Sequence, residues 1–423
     1  MAQVFEVSGS QSVADGAFGK RIMALADHLA SWSETADGLT CTFLSTAHLA
    51  VAEELAALMK KAGLTVEIDT VENVVGRYKS PEPSAKTVIV GSHYDTVRNA
   101  GKYDGRLGIL VALVIAEHLT RNGIDLPFNL EVIAFSEEEG VRFPASYIGS
   151  SAVAGRFEDK LLEARDAKGI TLSQALLEAG ADPKTIPALA RRPGTLAGYL
   201  EVHIEQGPVL LEAGLPVGVV TEIAGDSRYL VTVAGEAGHS GTVPMTLRHD
   251  AVAAAAEITM MVERRCNRPG LVGTVGRFAV TGGGAINIIP GRCEISLDVR
   301  SGDDATRLAA VVDILAEIQR IAERRGVKTT TTQALDAAAV PCSARLQEAF
   351  AASIARAGLP LRRLPSGAGH DAVMFSGVTD IAMMFVRCGN GGVSHSPRES
   401  VSAEDADIAA RILLDVLVNL KIA

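Results

Sequence analysis

The sequence predicts an α/β protein with a mixed, mostly parallel sheet flanked by helices, and a smaller α+β domain inserted into it. A chain of 423 residues is longer than one hydrophobic core usually serves. Over about the first 220 residues, short β-branched runs alternate with helical periodicity, which is typical of βαβ units. After Ala224 the order changes to β-α-β-β-α until about residue 335. We therefore predict one domain from residues 1–224 and 337–423, interrupted by another at 225–336.

Local patterns predict the elements of the larger domain. Residues 44–62 repeat apolar side chains at helical spacing and stop at Gly63, a suitable helix end. Short apolar runs rich in β-branched residues predict buried strands. The predicted helices are residues 44–62, 107–119 and 403–420, and the predicted strands are residues 86–92, 129–135 and 196–204.

The inserted domain has a different periodicity. Its predicted strands are residues 229–234, 271–280 and 292–300, and its predicted helices are residues 249–265 and 305–325. In the strand 292–300, apolar and polar side chains alternate, which is typical of an antiparallel strand with one exposed face. Arg300 lies on the polar face.

Composition excludes several classes of protein. The formal net charge of −10 argues against a nucleic-acid binder, which usually carries a basic face. Apolar stretches such as residues 107–116 are shorter than the ~18 residues that a membrane span needs. The first twenty residues contain Glu6 and Asp15 and show no secretory signal. Five scattered cysteines (41, 266, 293, 342 and 388) without a C-x-x-C pair indicate reduced thiols, so we expect a cytoplasmic protein.

Histidines and carboxylates follow several predicted strands. Nucleophile-elbow, dinucleotide-binding, Walker A and H-E-x-x-H motifs are absent. The chemistry-bearing segments are GSHYDTV (91–97), GKYDG (101–105), FSEEEG (135–140), HIEQG (203–207) and GVSHSP (392–397). Each alone has a simpler explanation: a hydrogen-bonded structural histidine, a solvated acidic turn, or an Asp-Gly turn. Together they lie where strands meet loops, the edge at which α/β sheets form sites. Mixed imidazole and carboxylate ligands suit zinc, manganese or cobalt.

The ordered motifs resemble the two-metal aminoacylase/carboxypeptidase superfamily. Within it, the sequence is similar to the hydantoinase/carbamoylase amidases, which include N-carbamoyl-L-amino acid hydrolases, allantoate amidohydrolases and some β-ureidopropionases. The matching segments run from His93 to Glu399 and include HIEQGPVL, GHSGTVPM, NIIPG, SGAGHDAVMF and GVSHSPRE. The resemblance implies a metallopeptidase-like catalytic domain and a ferredoxin-like inserted domain that serves as lid and dimer contact.

The resemblance also implies a site for two divalent metal ions. Asp104 would bridge them, His93 and His203 would complete one position, and Glu139 and His395 the other. A carboxylate can bridge because it has two oxygens and a charge that offsets two nearby cations.

Further residues take roles around the implied ions. Asp95 would hydrogen-bond His93 and fix its tautomer. Glu138 would be the general base. The triplet by itself leaves the register ambiguous. The resemblance sets it, because the family places its metal ligand just before the glycine at position 140, and Glu137 is then the surface alternative.

The inserted domain would contribute to substrate binding. The resemblance implies that His239 of the partner subunit polarises the scissile carbonyl in a homodimer, that Asn287 binds substrate, and that Arg300 pairs with the substrate carboxylate. Simpler explanations are a loop hydrogen bond for His239, a turn role for Asn287, and an exposed Arg300 paired with Asp298. Gln206 is a candidate for the ureido or carboxylate end of the substrate. His370 is expected to be structural or to support the ligands.

These features predict hydrolysis of the carbamoyl C–N bond of N-carbamoyl-L-amino acids, with no nucleic-acid or membrane partner. The neighbouring hypothesis is allantoate, which also presents a carboxylate beside a ureido group. Two further hypotheses are a peptidase or aminoacylase that uses the same metals, and an inactive metal-binding homologue. The inactive homologue is disfavoured because all five ligand candidates and Glu138 are present.

Overall fold

A computed structural model describes residues 16–422 of the chain. These residues form two compact units. The larger unit takes the described residues up to Thr221, together with Cys342–Leu364 and the described residues from His370 onward. The smaller unit comprises Glu222–Pro341 and Pro365–Gly369.

Eleven helices occur among the described residues. In chain order they are α1 (Ala17–Leu29), α2 (Thr46–Lys61), α3 (Arg106–Asn122), α4 (Ile148–Val153), α5 (Leu172–Glu178), α6 (Val209–Ala213), α7 (Ala251–Cys266), α8 (Asp304–Arg325), α9 (Ala344–Arg356), α10 (Ala372–Phe375) and α11 (Ala403–Asn419).

The described strands number sixteen. They are β1 (Thr65–Ile68), β2 (Val74–Tyr78), β3 (Thr87–His93), β4 (Asn129–Phe135), β5 (Leu196–Ile204), β6 (Val217–Ile223), β7 (Gly225–Ala234), β8 (Gly238–His239), β9 (Leu271–Thr274), β10 (Phe278–Gly282), β11 (Ile288–Ile289), β12 (Arg292–Ser301), β13 (Lys328–Ala337), β14 (Val340–Pro341), β15 (Arg363–Ser366) and β16 (Ile381–Val386).

The sheet of the larger unit has parallel strands at its centre and antiparallel strands at both sides. Its order is β1-β2-β4-β3-β5-β16-β6. The strands β4, β3, β5 and β16 run parallel, whereas β2 and β6 pair antiparallel to this central group. The predicted mixed α/β sheet is confirmed. The carboxyl ends of the four central strands meet at one edge, where ligand sites form in such sheets.

The core of the larger unit lies around α3. Thirteen of its seventeen residues are buried, so the helix is apolar on nearly every side. Gly108 brings it close to the sheet, since an added Cβ there would lie 2.0 Å from the carbonyl oxygen of Val202 in β5. The close packing fixes the loop that precedes α3 above the carboxyl ends of β3 and β5.

The smaller unit is an antiparallel sheet packed against two helices. The strand order β10-β12-β7-β13, with β9 also pairing with β12, is the ferredoxin-like order that the resemblance implied. The apolar face of β12 (Cys293, Ile295, Leu297 and Val299) packs with buried residues of α7 and α8. Its polar face, including Arg300, is half-buried.

Three details of the smaller unit differ from the prediction. The strand β13, which pairs with β7, follows the last predicted helix and was not predicted. Residues 271–280 form two strands, because β9 pairs with the end of β12 and β10 with its beginning. Between them the Ser296 hydroxyl accepts the backbone N–H of Arg277, which replaces a ladder bond. Residues 365–369 belong to this unit and not to the larger one, since Ser366 accepts from the backbone of Ala224 and Gly367 from Arg300.

The sequence predicted reduced cysteines and no membrane-spanning segment. All five cysteines are buried as thiols. Among the described residues, no helix is both long and apolar enough to cross a bilayer. The expected absence of a secretory signal falls largely on residues 1–15, which lie outside the described part of the chain.

Candidate metal centre

Five candidate ligands meet at the carboxyl edge of the parallel strands. His93 is the last residue of β3, and His203 lies one residue before the end of β5. Glu139 follows β4, and His395 lies in the loop after β16. Asp104 comes from the loop that precedes α3. The fold thus brings together all five residues that the resemblance assigned to a metal site.

The Asp104 carboxylate lies at the centre of this group. Its Oδ1 is 3.3 Å from His203 Nε2 and 3.9 Å from His93 Nε2. Its Oδ2 is 3.0 Å from His395 Nε2, which lies 3.4 Å from Glu139 Oε1. The potential ligand atoms within His93–Asp104–His203, and within Asp104–Glu139–His395, all lie within 4.8 Å of one another. Asp104 therefore joins two ligand groups through different oxygens.

Asp95 orients three neighbouring residues at once. Its Oδ1 lies 3.4 Å from His93 Nδ1, on the ring edge opposite Asp104. The same carboxylate accepts the backbone N–H groups of Glu138 and Glu139, at 3.0 and 3.2 Å. The expected contact with His93 is present, and the link to the acidic turn is an additional finding. One buried carboxylate thus ties the end of β3 to the residues after β4.

Glu137 is not the surface residue that the sequence suggested. Its relative exposure is 0%, and its Oε1 accepts the backbone N–H groups of Arg142 and Phe143 at 3.3 and 3.4 Å. Its backbone has a φ of 32°, a conformation that non-glycine residues rarely adopt. The prediction was wrong because this turn folds back over its own first acidic side chain.

Glu138 and Glu139 occupy different surroundings. Glu138 is buried and forms a group of potential ligand atoms with His93 and Glu139. Burial raises the pKa of Glu138 well above its usual range and that of Glu139 to about 7. In both cases burial opposes the charged form, and the neighbouring carboxylates add to the effect.

The histidines have opposite protonation tendencies. Burial lowers the pKa of His203 to about 4, so its imidazole is neutral near pH 7. Burial would also raise the pKa of Asp104, but a hydrogen bond with His395 and the adjacent imidazoles lower it below its usual range. That hydrogen bond raises the pKa of His395 to about 8.

The donor set fits divalent cations. A neutral imidazole offers a lone pair to a metal ion, and His203 is neutral. Burial and like-charged neighbours destabilise the ionised form of these carboxylates, so a nearby cation would stabilise that form strongly. Three imidazoles and two carboxylates match the ligands of zinc, manganese and cobalt. The histidine side chain at position 395 is 47% exposed, so this end of the site is open to solvent.

Backbone strain marks two residues of the site. Gln206 and His395 have φ values of 56° and 52°, in the left-handed region. Such conformations cost energy and persist where the surrounding structure holds them, often at functional sites. The Gln206 amide nitrogen donates to both Asp104 oxygens, at 3.1 and 3.0 Å. A residue assigned to substrate on sequence grounds thus contacts the central carboxylate.

Two buried residues, His370 and Glu201, lie behind the ligands. The sequence predicted a structural or supporting role for His370, whereas Glu201 was not identified. His370 is buried with its ring edge-on to that of His203, at a centroid distance of 4.5 Å. Glu201 is fully buried and accepts from the Ser92 hydroxyl at 3.0 Å and from the Tyr199 hydroxyl at 2.9 Å. The signal for Glu201 was available, because it is the single acid in an apolar strand and alternates onto the face of His203.

The three candidates of the smaller unit are described within that unit. His239 pairs with Ile288 across the β8–β11 bridge, and the carbonyl of Asn287 accepts from Ser240 N, so the His239 and Asn287 segments are adjacent. The Arg300 Nε and Nη2 atoms each lie 2.8 Å from an oxygen of Asp298. The pairing with Asp298, one of the explanations left open by the sequence, is therefore present.

Comparisons with known proteins identify the family. The profile of Peptidase family M20/M25/M40 matches residues 89–419. The chain is 44% identical over 360 residues to the N-carbamoyl-L-amino acid amidohydrolase of Geobacillus stearothermophilus, which covers 85% of this chain and 88% of that protein. It is 38% identical over 420 residues to allantoate deiminase 1 of Glycine max, covering 92% and 86%.

A solved structure agrees with these sequence matches. The crystal structure of a hydantoinase/carbamoylase family amidase from Burkholderia multivorans superposes with a TM-score of 0.88 at 31% identity. The match covers 95% of this chain and 97% of the other. The resemblance inferred from the motifs is confirmed. The chain belongs to peptidase family M20/M25/M40 and, within it, to the hydantoinase/carbamoylase amidases.

Proposed function

We propose that this protein is a metal-dependent amidohydrolase that cleaves the carbamoyl C–N bond of N-carbamoyl-L-amino acids. The products are the amino acid, CO2 and ammonia. The observation that carries the proposal is the convergence of His93, Asp104, Glu139, His203 and His395 beside the buried Glu138. The 44% identity to an N-carbamoyl-L-amino acid amidohydrolase supports the choice of substrate class. The buried thiols suit a reducing compartment, and we propose the cytoplasm.

The site would hold two divalent cations, zinc, manganese or cobalt. His93 and His203 would bind one, Glu139 and His395 the other, and Asp104 both. The two oxygens of Asp104 support a bridging role, because Oδ1 faces His203 and Oδ2 faces His395. When bound, the ions would lower the pKa of water and stabilise negative charge on the scissile oxygen.

Glu138 is proposed as the general base. It would take a proton from the attacking water and deliver it to the nitrogen of the leaving amino acid. Burial supports this role, because a raised pKa brings a carboxylate closer to the pH at which it must both accept and release a proton. Asp95 would fix the backbone from which Glu138 projects, through its bond to the N–H of that residue.

The inserted domain would bind the rest of the substrate. In a homodimer, His239 of the partner subunit would donate to the oxygen of the tetrahedral intermediate. Asn287 would bind the substrate and Arg300 its carboxylate, while Gln206 of the larger unit would contact the ureido or the carboxylate end. Asp298 occupies the Nε/Nη2 edge of the Arg300 guanidinium, and the Gly367 carbonyl accepts from Nη1. A substrate carboxylate would therefore share or replace these partners.

Allantoate is the second candidate substrate. The 38% identity to an allantoate deiminase over 92% of the chain favours it specifically. Both substrates place a carboxylate next to a ureido group, so the same residues could bind either. They differ in the group that replaces the amino-acid side chain.

An ammonia-release assay with the manganese-loaded protein tests the function. We expect release from at least one carbamoyl-L-amino acid, abolition by chelation, and recovery with Mn, Co or Zn, because the ions would lower the pKa of the attacking water and stabilise charge on the scissile oxygen. Allantoate and 3-ureidopropionate test the related activities, and a dipeptide and an N-acetyl amino acid are the controls. Activity that persists without metal, or cleavage of the controls alone, would contradict the proposal.

The variant Glu138→Gln tests the general base. We expect kcat to fall by about 10²- to 10⁴-fold, since an amide cannot accept the proton. Metal content should remain at the wild-type level in the same preparation. Glu178→Gln makes the same charge change at an exposed residue of α5 and should leave kcat unaltered. Undiminished turnover by Glu138→Gln would remove the assignment.

Arg300→Ala tests carboxylate recognition. We expect binding of carboxylate substrates to weaken by on the order of 2 kcal/mol, because a charged hydrogen-bonded pair is lost. Arg228→Ala is the matched control, since Arg228 lies across from Asp298 in the same charge cluster. Equal losses in both variants, or an equal loss for an uncharged substrate analogue, would indicate a structural cluster only.

Subunit complementation tests the shared site. Chains carrying His239→Ala and chains carrying Glu138→Gln are each expected to be inactive. In a random mixture, about half of the dimers contain one chain of each variant. Each such mixed dimer has one intact site out of two, so about a quarter of wild-type activity should return. Native mass spectrometry verifies the mixed dimer. A verified mixed dimer without activity would exclude a histidine supplied by the partner.

A further inference from the structure

Glu399 lies against the loop that carries Asp104. It is 6% exposed and sits four residues after His395 in the same connection between β16 and α11. Its Oε1 accepts the backbone N–H groups of Tyr103 and Asp104, at 2.8 and 3.1 Å. Sequence reasoning included Glu399 only as the last residue of a motif. The proposed mechanism gives it no role.

The two N–H groups need this acceptor. Tyr103 and Asp104 are 3% and 2% exposed, so water does not readily replace a lost partner. A buried N–H without an acceptor is unfavourable, because it has lost its hydrogen bond to water and gained none in the protein. The backbone N–H groups of Arg106 and Leu107, in the first turn of α3, donate to the carbonyls of the loop. These bonds fix the loop towards the helix, and Glu399 fixes it on the other side.

The stem of Glu399 packs closely against the loop. An added Cβ at Gly101 would lie 2.3 Å from both the Cβ and the Oε1 of Glu399, so the backbone of the loop touches the stem of this side chain. The other oxygen, Oε2, has no hydrogen-bond partner among the described residues. The carboxylate is therefore held by the two N–H groups of the loop and by the packing of its stem.

We propose that Glu399 is a positioning residue for the metal centre: it sets the backbone of Asp104 so that both carboxylate oxygens face the two ligand groups. The proposal rests on Asp104 being a metal ligand. It differs from a ligand role, because Glu399 acts through two N–H groups of the main chain. Since His395 and Glu399 share one loop, the bond also ties the position of one ligand to that of another.

Direct binding of Co²⁺ to metal-free protein tests the proposal, followed by visible absorption and by metal analysis. Glu399→Ala removes the acceptor. It should weaken Co²⁺ binding by about 10- to 100-fold, which is the usual effect of removing a residue that supports a metal ligand. It should also alter the absorption spectrum. Glu399→Gln keeps a carbonyl oxygen for the two N–H groups and should retain most of the affinity and the wild-type spectrum.

Two further variants separate positioning from general stability. Gly101→Ala keeps Glu399 but pushes it from the loop, and should reproduce the loss seen in Glu399→Ala. Asp250→Ala is the matched control: Asp250 Oδ1 also accepts two successive backbone N–H groups, those of Val252 and Ala253, but at the start of α7 in the other unit. It is expected to lower thermal stability and to leave Co²⁺ affinity at the wild-type value.

The outcomes are distinguishable. Wild-type protein that binds no Co²⁺ would overturn the metal site itself and with it the proposed function. Wild-type protein that binds two ions, together with a folded Glu399→Ala that binds them equally well, would overturn only the positioning role. Equal losses in Glu399→Ala and Glu399→Gln would also overturn it, since they would show that charge and not the hydrogen-bond acceptor is required.

Discussion

The arrangement of the larger unit depends on keeping several acidic side chains together in a buried place. Asp95, Asp104, Glu138 and Glu201 are each less than 10% exposed. Like charges in a medium of low polarity repel one another strongly and resist ionisation. This group lies at the carboxyl edge of the four parallel strands, where imidazoles and backbone N–H groups converge and offset part of the cost. Divalent cations would supply the remaining positive charge, which makes metal binding and the local acid–base chemistry two aspects of one constraint.

Backbone donors do much of the positioning. Asp95 accepts from two successive residues of the acidic turn, and Glu399 accepts from two successive residues of the Asp104 loop. Glu137 does the same for the segment that follows the turn. Each of these carboxylates holds a loop by its main chain and leaves the functional side chain directed elsewhere. A site held in this way is ordered before substrate arrives, which is what electrostatic catalysis requires.

In the smaller unit, charged residues lie on the exposed face of the sheet. The sheet buries one face against two helices and presents charged residues on the other. Asp226 and Arg228 of β7 lie opposite Arg300 and Asp298 of β12, so each arginine faces an aspartate across the strands. Opposite charges in this register stabilise an antiparallel pair. Arg300 therefore already has an acidic partner. A substrate carboxylate that binds Arg300 would compete with this partner, which limits how strongly it can bind.

Periodicity and short motifs are local properties, and they were enough to predict the fold class, the ordered motifs and elements such as β3, β5 and α8. Burial and long-range pairing were decided by the tertiary structure. Glu137 was assigned to the surface because a triplet of acids is usually solvated, whereas a turn with positive φ places it inside. Residues 271–280 split because the two halves pair with different ends of β12. The contact of Glu399 with Asp104 joins positions 295 apart, and no local pattern records which distant backbone a buried carboxylate will hold.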